Sequence, residues 1–285
     1  MPRKSPILSA LLLAVLAALL PAATTTGQDA DAGFDSARAL LEALERADQG
    51  IETLAAQIQY DKHFMLQGDT HRRRGDLLFR TQRPGEGAPE RAFEINFNSL
   101  QVGGRLEQDR ETWIFDGRWL VEMHPARKQF IKREVASKGA TFDPLAIGEG
   151  PMPIPIGQKA DEVLARYDAR LAPPAEPFEG NDPKIGFVSD TWQLVLTPRQ
   201  GVVAERDEKF KEIRIWYSRS GERKLLPRMA RTLSRSGDVT YVQLINIKIN
   251  GPVPPRAFDV TVPPADEHWQ VQIERLPDPK TGSRR

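Results

Sequence analysis

Apolar and polar residues alternate along residues 110–135 in two runs that are separated by Asp116-Gly117. The apolar side chains of these runs are large: Trp113, Phe115, Trp119, Val121 and Met123. Alternation with a period of two around an Asp-Gly pair predicts a β-hairpin, because this pair adopts the tight turn that twisted strands require. A further turn at Pro125 leads into a third run that ends at Val135. This stretch predicts a sheet with one strongly apolar face.

The same alternation recurs on both sides of the hairpin and predicts a mainly β protein. Strands are predicted within residues 57–80, 93–97, 191–198, 209–233, 239–250 and 268–276. Gly68-Asp69 divides the first of these stretches into two strands, and Ser220-Gly221 divides the fourth. Roughly ten short strands in meander order predict one antiparallel sheet or an open barrel.

Two segments repeat apolar residues at intervals of three and four, which predicts amphipathic helices. The first begins near Phe34, where Asp35 or Ser36 can cap it, and ends near Gly50. The second has one apolar stripe: Ala160, Val163, Leu164, Tyr167 and Leu171. Because each helix is apolar on one face only, each must lie on an apolar surface, either within the core or as a lid over a cavity.

Residues 136–183 interrupt the strands with a loop that is apolar and rich in proline, followed by the second helix. Proline cannot donate a ladder hydrogen bond, so this loop is expected to lie against a surface rather than within the sheet. We predict one domain over residues 34–276, with residues 136–183 as an insertion, and a disordered polar tail over residues 277–285.

The first residues have the pattern of a secretory signal peptide. Arg3 and Lys4 precede an apolar run that ends at Leu20, and small residues follow at Ala22 and Ala23. This run is short for a membrane span, so we predict a cleaved signal peptide at residues 1–23 and a flexible leader at residues 24–33. An uncleaved N-terminal anchor is the alternative. The protein is expected to be exported.

Composition excludes several classes of function. The chain has 40 Lys and Arg against 39 Asp and Glu, a net charge of +1. Cleavage after Ala23 would leave 38 against 39, a net charge of −1, so nucleic acid is not an expected partner. The chain has no cysteine, which excludes disulfides, thiolate zinc sites, thiol catalysis and a lipid-modified cysteine.

No motif nominates a catalytic residue, a metal site or a cofactor. The sequence has no HExxH pattern, no Asp-rich calcium loop and no Gly-x-Ser-x-Gly elbow. A hydrolase of envelope glycans would need an acidic pair such as Asp109 and Glu111, which are interpreted instead as surface charges. The basic run at residues 71–74 is interpreted as a solvated strand face rather than an anion site. We therefore predict that the protein is not an enzyme.

Five short segments, in this order, resemble the bacterial outer-membrane lipoprotein-carrier family (LolA/LolB-like). They are the helix LLEALERADQGIETLAAQIQYDK, the strand RRRGDLLFR, the hairpin WIFDG followed by Pro125 and Gln129, the strand WQLVLTP, and the ending INIKINGPVPPRAFDVTVPP. The resemblance covers residues 34–265. It implies a strongly curved antiparallel sheet, an incomplete β-barrel with helices over its open side and a hydrophobic cavity between them.

In that family the cavity takes the acyl chains of a lipoprotein. Alternation and resemblance together nominate the following side chains for the cavity wall: Leu78, Phe93, Ile95, Phe97, Trp113, Phe115, Trp119, Val121, Met123, Trp192, Leu194, Leu196, Ile213 and Ile215. The resemblance also implies an arginine after the Gly-Asp-Leu strand that helps to hold the lid closed. Arg80 matches by its distance from Asp76, and Arg83 matches by the proline that follows it.

These observations predict a non-catalytic, periplasmic carrier or binder of lipoprotein or lipid acyl chains. The resemblance implies transient contacts with an inner-membrane donor and an outer-membrane acceptor, and we expect a monomer. The alternative is an envelope sensor or scaffold of the same fold, in which the protein's own side chains fill the cavity.

Overall fold

In the part of the chain that the structure describes, the sheet and its helices comprise thirteen strands and three α-helices. The structure is a computed structural model that describes residues 33–83, 89–136, 147, 156, 158–201 and 209–276. The helices are α1 (Ala37–Asp48), α2 (Ala160–Arg166) and α3 (Pro183–Val188). The strands are β1 (Thr53–Phe64), β2 (Asp69–Gln82), β3 (Glu90–Val102), β4 (Arg105–Glu107), β5 (Glu111–Phe115), β6 (Trp119–His124), β7 (Gln129–Glu134), β8 (Tyr167–Ala172), β9 (Thr191–Pro198), β10 (Phe210–Ser218), β11 (Pro227–Ser234), β12 (Val239–Ile249) and β13 (Gln270–Glu274).

Several predicted segments lie outside the described residues. They are the signal peptide at residues 1–23, the leader except Gly33, most of the loop at 137–157, and the tail at 277–285. Phe34–Arg285 belong to one compact unit. Within the ranges that the structure describes, no helix is both long enough and apolar enough to cross a membrane.

All thirteen strands join one curved, unclosed sheet, as predicted. Its order is β13-β7-β6-β5-β3-β2-β1-β12-β11-β10-β9-β8, with β4 paired to β3 beside this path. The first strand therefore lies in the middle of the sheet, between β2 and β12. From β1 the chain adds strands towards one edge as far as β7, then returns from the opposite edge at β8. The mainly β, incomplete-barrel fold class is confirmed.

One strand departs from the antiparallel pattern. The predicted last strand, β13, pairs parallel with β7, with Gln270 opposite Gln129 and Glu274 opposite Arg133. A parallel pair needs a long connection, and residues 135–269 supply it. The sheet is thus antiparallel except at this edge.

The second predicted helix is shorter than its apolar stripe suggests. It ends at Arg166, and Tyr167 begins strand β8, which pairs with β9 from Tyr167–Pro198 to Ala172–Gln193. Tyr167 and Leu171 are four residues apart, a spacing that fits one face of a helix and also one face of a strand. Pairing with β9 decided between the two.

Helix α3 was not predicted. Its start has a signal that sequence reasoning passed over, because Asp182 accepts a hydrogen bond from the backbone N–H of Lys184 at 2.9 Å and Pro183 occupies the first turn. By contrast, the start of α1 agrees with its predicted cap, since Ser36 Oγ accepts from the N–H of Ala39 at 3.1 Å.

Both faces of the sheet are packed. We call the face that contacts α1 and α2 the inner face and the opposite one the outer face. Residues 253–260 with Trp269 cover the outer face over β3, β5, β6 and β7. Phe178, Phe187 and Val188 cover it over β10 to β12. An ion pair also holds the segment before α3 to β10, because Arg214 of β10 donates to Glu176 at 2.9 Å. Arg214 donates as well to Glu212, at 2.6 and 2.8 Å.

Candidate functional site

The inner face is the candidate binding surface, because its apolar residues run without interruption across most of the sheet. They form two clusters. The first spans β1, β2, β3, β5 and β12, and the second spans β9 to β11 with the apolar faces of α1 and α2. Ala230 of the second cluster lies directly opposite Val242 of the first. Residues opposite each other on paired strands share a face, so the two clusters form one surface.

Ten of the fourteen nominated side chains lie on this inner surface. They are Phe93, Ile95, Phe97, Trp113 and Phe115 in the first cluster, and Trp192, Leu194, Leu196, Ile213 and Ile215 in the second. Most of them are fully buried, but Trp113 and Trp192 are half-buried. The structure therefore brings together residues that lie far apart in sequence.

The other four nominated residues lie on the outer face, so they do not share one cavity wall with the other ten as predicted. Ile114 is opposite Val121 and Phe115 is opposite Leu120. The large apolar residues predicted for β5 and for β6 therefore lie on opposite faces of the sheet rather than on one face. Val121, Met123 and Leu78 pack under residues 253–260. Trp119 lies on the same face, where Lys132 Nζ is 4.9 Å from the centre of its ring. A shift of one residue in register moves a whole apolar set to the opposite face.

Helices α1 and α2 cover the half of the inner surface formed by β8 to β11. They are joined to each other by polar contacts: Glu45 of α1 accepts from the backbone N–H of Ala160 at 3.1 Å, and Arg38 donates to Asp161 at 2.8 Å. A carboxylate at the first turn of α2 is favourable, because the free N–H groups there carry partial positive charge. The two helices therefore form one cover.

Two residues of the predicted apolar loop belong to the same surface. Ile147 is buried with the second cluster, and Ile156 is buried with the first. The hydroxyl of Tyr167 donates to the carbonyl oxygen of Ile147 at 3.0 Å. A cavity of about 20 Å³ lies between Ile156, Leu41 and Tyr217, where the two clusters meet below α1, which is room for about one water molecule.

The two candidate arginines lie on different sides of the sheet. The guanidinium of Arg80 is 4.8 Å from the ring centre of Phe258 on the outer face. Arg83 instead reaches the last turn of α1, donating to the carbonyl oxygens of Asp48 at 2.8 Å and Ile51 at 3.3 Å. Cations are favourable at a helix C-terminus, where carbonyl groups have no partner in the helix.

At the far end of the inner surface from Arg83, a charged group lies among the aromatic residues. We call it the polar cluster: Arg73, Asp109, Glu111 and His124. Arg73 contacts Glu111 at 2.8 Å and Asp109 at 3.1 Å, and His124 Nε2 is 3.7 Å from Glu111. The Glu111 side chain is only 8% exposed. Burying a carboxylate this far is costly without compensation, and Arg73 supplies the opposite charge.

Trp113 connects the polar cluster to the apolar surface. Its Nε1 donates to Glu111 at 2.7 Å, while its ring lies 5.4 Å from Phe97 and 6.2 Å from Tyr60 in edge-to-face geometry. Burial raises the pKa of Tyr60, so this residue stays a neutral phenol at physiological pH. The inner surface thus changes from hydrocarbon to ionic groups within the length of one indole ring.

Sequence reasoning missed this cluster because it interpreted both parts as surface charges. The basic run divides between the faces: Arg72 pairs with Asp61 at 2.9 Å, whereas Arg73 pairs with Glu111. The available signal was the period of two, since Arg73 has the parity of Leu77 and Phe79, and Glu111 that of Trp113. In the described ranges, no group of three or more His, Asp or Glu could hold a metal ion.

No family model matches this chain, and no curated protein sequence matches it. Solved structures do. An uncharacterised conserved protein from Thermus thermophilus is 12% identical, with 83% of this chain and 97% of that one covered and a TM-score of 0.41. LprF from Mycobacterium bovis is 10% identical over 77% and 96%, with a TM-score of 0.39. A LolA superfamily protein from Nitrosomonas europaea is 12% identical over 78% and 97%, with a TM-score of 0.27. The family that the sequence resembles is among these neighbours.

Proposed function

We propose that this protein binds the acyl chains of a lipid or a lipoprotein on the inner face of its sheet and carries them without chemical change. The observation that supports this most directly is the continuous apolar surface joined at Ala230 and Val242, half of which lies beneath a helical cover. A carrier needs apolar area and a cover that can move, and the polar contacts of α1 with α2 and Arg83 are few enough to break reversibly.

The energetics favour such a ligand. Each methylene group that leaves water contributes about 0.8 kcal/mol, whereas an ordinary hydrogen bond contributes about 1 kcal/mol. A long acyl chain therefore gains more from apolar contact than from any set of hydrogen bonds that the inner surface offers. This attraction has no preferred direction, so one surface can accept chains from different donors.

A carrier role implies a cellular location and a set of transient partners. With the predicted signal peptide removed, the protein acts in the periplasm as a monomer, taking its cargo from an inner-membrane donor and releasing it to an outer-membrane acceptor. A sensor or scaffold of the same fold is the competing function, and it differs in requiring no bound acyl chain.

Extraction and mass spectrometry of protein purified from its native envelope test the proposal, together with titration by a fluorescent acyl probe. Two neighbouring residues provide a matched pair of variants, because Leu120 and Trp119 are both half-buried but lie on opposite faces. Leu120→Glu places a charge on the inner surface and should weaken probe binding about tenfold. Trp119→Glu should leave the affinity within about twofold of the parent.

Co-purified acyl lipid and a selective effect of Leu120→Glu support a carrier. Protein that carries no lipid and binds no probe, yet captures an envelope partner, indicates the sensor or scaffold instead.

A further inference from the structure

The polar cluster has more acidic than basic charge. Asp109 and Glu111 contribute −2, Arg73 contributes +1, and His124 contributes none in its neutral form, so the four residues sum to −1. The side chains are 16%, 8%, 17% and 13% exposed, respectively. At such burial, the excess charge is poorly screened by water and acts strongly on any group that enters the inner surface at this end.

The polar cluster also has more hydrogen-bond acceptors than free donors. Both Asp109 and Glu111 direct carboxylate oxygens at Arg73, so the guanidinium is already paired twice. His124 has its Nε2 towards Glu111, while its Nδ1 is buried and has no hydrogen-bond partner in the described structure. When Nε2 carries the proton, Nδ1 is an acceptor. The cluster therefore offers acceptors and an unbalanced negative charge.

We infer that the polar cluster is a head-group site that selects amphiphiles with a cationic, amine-bearing head. The acyl chain lies along Phe97, Trp113 and the rest of the first apolar cluster, and the ammonium group meets Asp109 and Glu111. Trp113 positions the boundary, because its ring belongs to the apolar wall and its N–H to the ionic group. The inference rests on the proposed function and specifies the class of ligand that this surface takes.

An anionic head is disfavoured at the same place. A carboxylate or phosphate would need a free cation, and Arg73 is the only cation of the cluster and is already shared by two acids. Like charges at short range in a partly buried site repel more strongly than in water. Selection by head group thus follows from charge, while affinity follows from the chain.

The test compares three amphiphiles of one chain length: dodecylamine, dodecanol and dodecanoate. Each displaces a neutral fluorescent naphthylamine probe from the full-length protein at pH 7.5 and low salt, where the amine is cationic and the acid anionic. We expect the amine to bind about tenfold more tightly than the alcohol, and the acid to bind more weakly than the alcohol.

Two variants change the charge of the cluster with little change of shape. Asp109→Asn brings the net charge of the polar cluster to zero and keeps the contact between Glu111 and Arg73. The preference for amine over alcohol should therefore fall to about threefold or less. Glu111→Gln should do the same if it folds, and circular dichroism establishes that. Glu107→Gln removes the same charge from an exposed side chain on β4 and should leave the preference unchanged.

The outcomes separate this inference from the proposed function. Equal binding of all three amphiphiles, or tighter binding of the acid, overturns the head-group site and leaves acyl binding intact. If none of the three displaces the probe, the proposed function itself fails. An amine preference that survives Asp109→Asn unchanged also overturns the assignment to this cluster.

Discussion

Arg83 donates to the carbonyl oxygen of Asp48 at 2.8 Å, which fastens the residue after β2 to the last turn of α1. The contact matters because α1 covers the inner surface, and its C-terminal carbonyls have no other partner within the helix. The side chain of Arg83 thus links the end of β2 to the C-terminal end of α1.

Removing this contact should loosen α1 without unfolding the sheet. Arg83→Ala is expected to increase amide hydrogen exchange in residues 37–48 about tenfold, while exchange in β10 stays unchanged. Arg80→Ala is the matched control, because Arg80 lies against Phe258 on the outer face. Equal exchange in α1 of both variants would show that Arg83 does not hold the helix.

Gly75 lies at a bulge where β2 approaches β3 very closely. A Cβ atom built there would be 2.0 Å from the carbonyl oxygen of Asn96, a distance that neither backbone can accommodate without moving. Gly75→Ala should therefore lower the free energy of unfolding by about 3 kcal/mol, measured by urea denaturation. Gly186→Ala, with open space around it in α3, should instead raise the free energy of unfolding by about 0.5–1 kcal/mol, because alanine favours a helix over glycine. Similar effects of the two changes would contradict this reading of the bulge.

Asn250 joins the end of β12 to the connection between α1 and β1. Its Oδ1 accepts from the N–H of Glu52 at 2.9 Å, its Nδ2 donates to the carbonyl of Gly50 at 2.9 Å, and its φ is 54°. Asn250→Gly removes only the side-chain bonds and should cost about 1 kcal/mol of unfolding free energy. Asn250→Ala should cost about 1 kcal/mol more, because alanine is disfavoured at this φ. Thermal unfolding of both variants measures the difference.

Glu176 makes stability depend on acid pH. Hydrogen bonds from Arg170 and Arg214 lower the pKa of this carboxyl from 4.5 to about 2. Because the pKa of Glu176 is lower in the folded protein than in the unfolded chain, the ionised carboxylate stabilises the fold above pH 4.5. This stabilisation is lost as pH falls from 4.5 towards 2. The unfolding temperature should decline across that window, and Glu176→Gln should flatten the decline. A variant with the parent's pH profile would exclude Glu176 as the responsible group.

Much of the local structure could be predicted, because it depends on neighbours in the chain. Asp116-Gly117 specifies a turn: Asp116 Oδ1 accepts from the N–H of Trp119 at 2.8 Å. Ser36, one of the two residues predicted to cap α1, does so. The alternation of Phe93, Ile95 and Phe97 places all three on one face of β3, since a strand points successive side chains to opposite sides.

Which face of one strand matches which face of the next could not be predicted in the same way. The turn that places Phe115 opposite Leu120 moves Val121 and Met123 to the outer face. A hairpin with a different turn length would have kept them with Trp113, and the alternation of the sequence is compatible with either.

The sequence by itself determined most of the strands, the first amphipathic helix and the alternation of apolar and polar residues along each strand, because these depend on residues two to four positions apart. Only the tertiary structure decided that β1 lies beside β12, that Ala230 joins the two apolar clusters, and that Arg73 meets Glu111 and His124. These pairs lie far apart along the chain, and their contact depends on strand order and register, which hydrogen bonds between distant segments set.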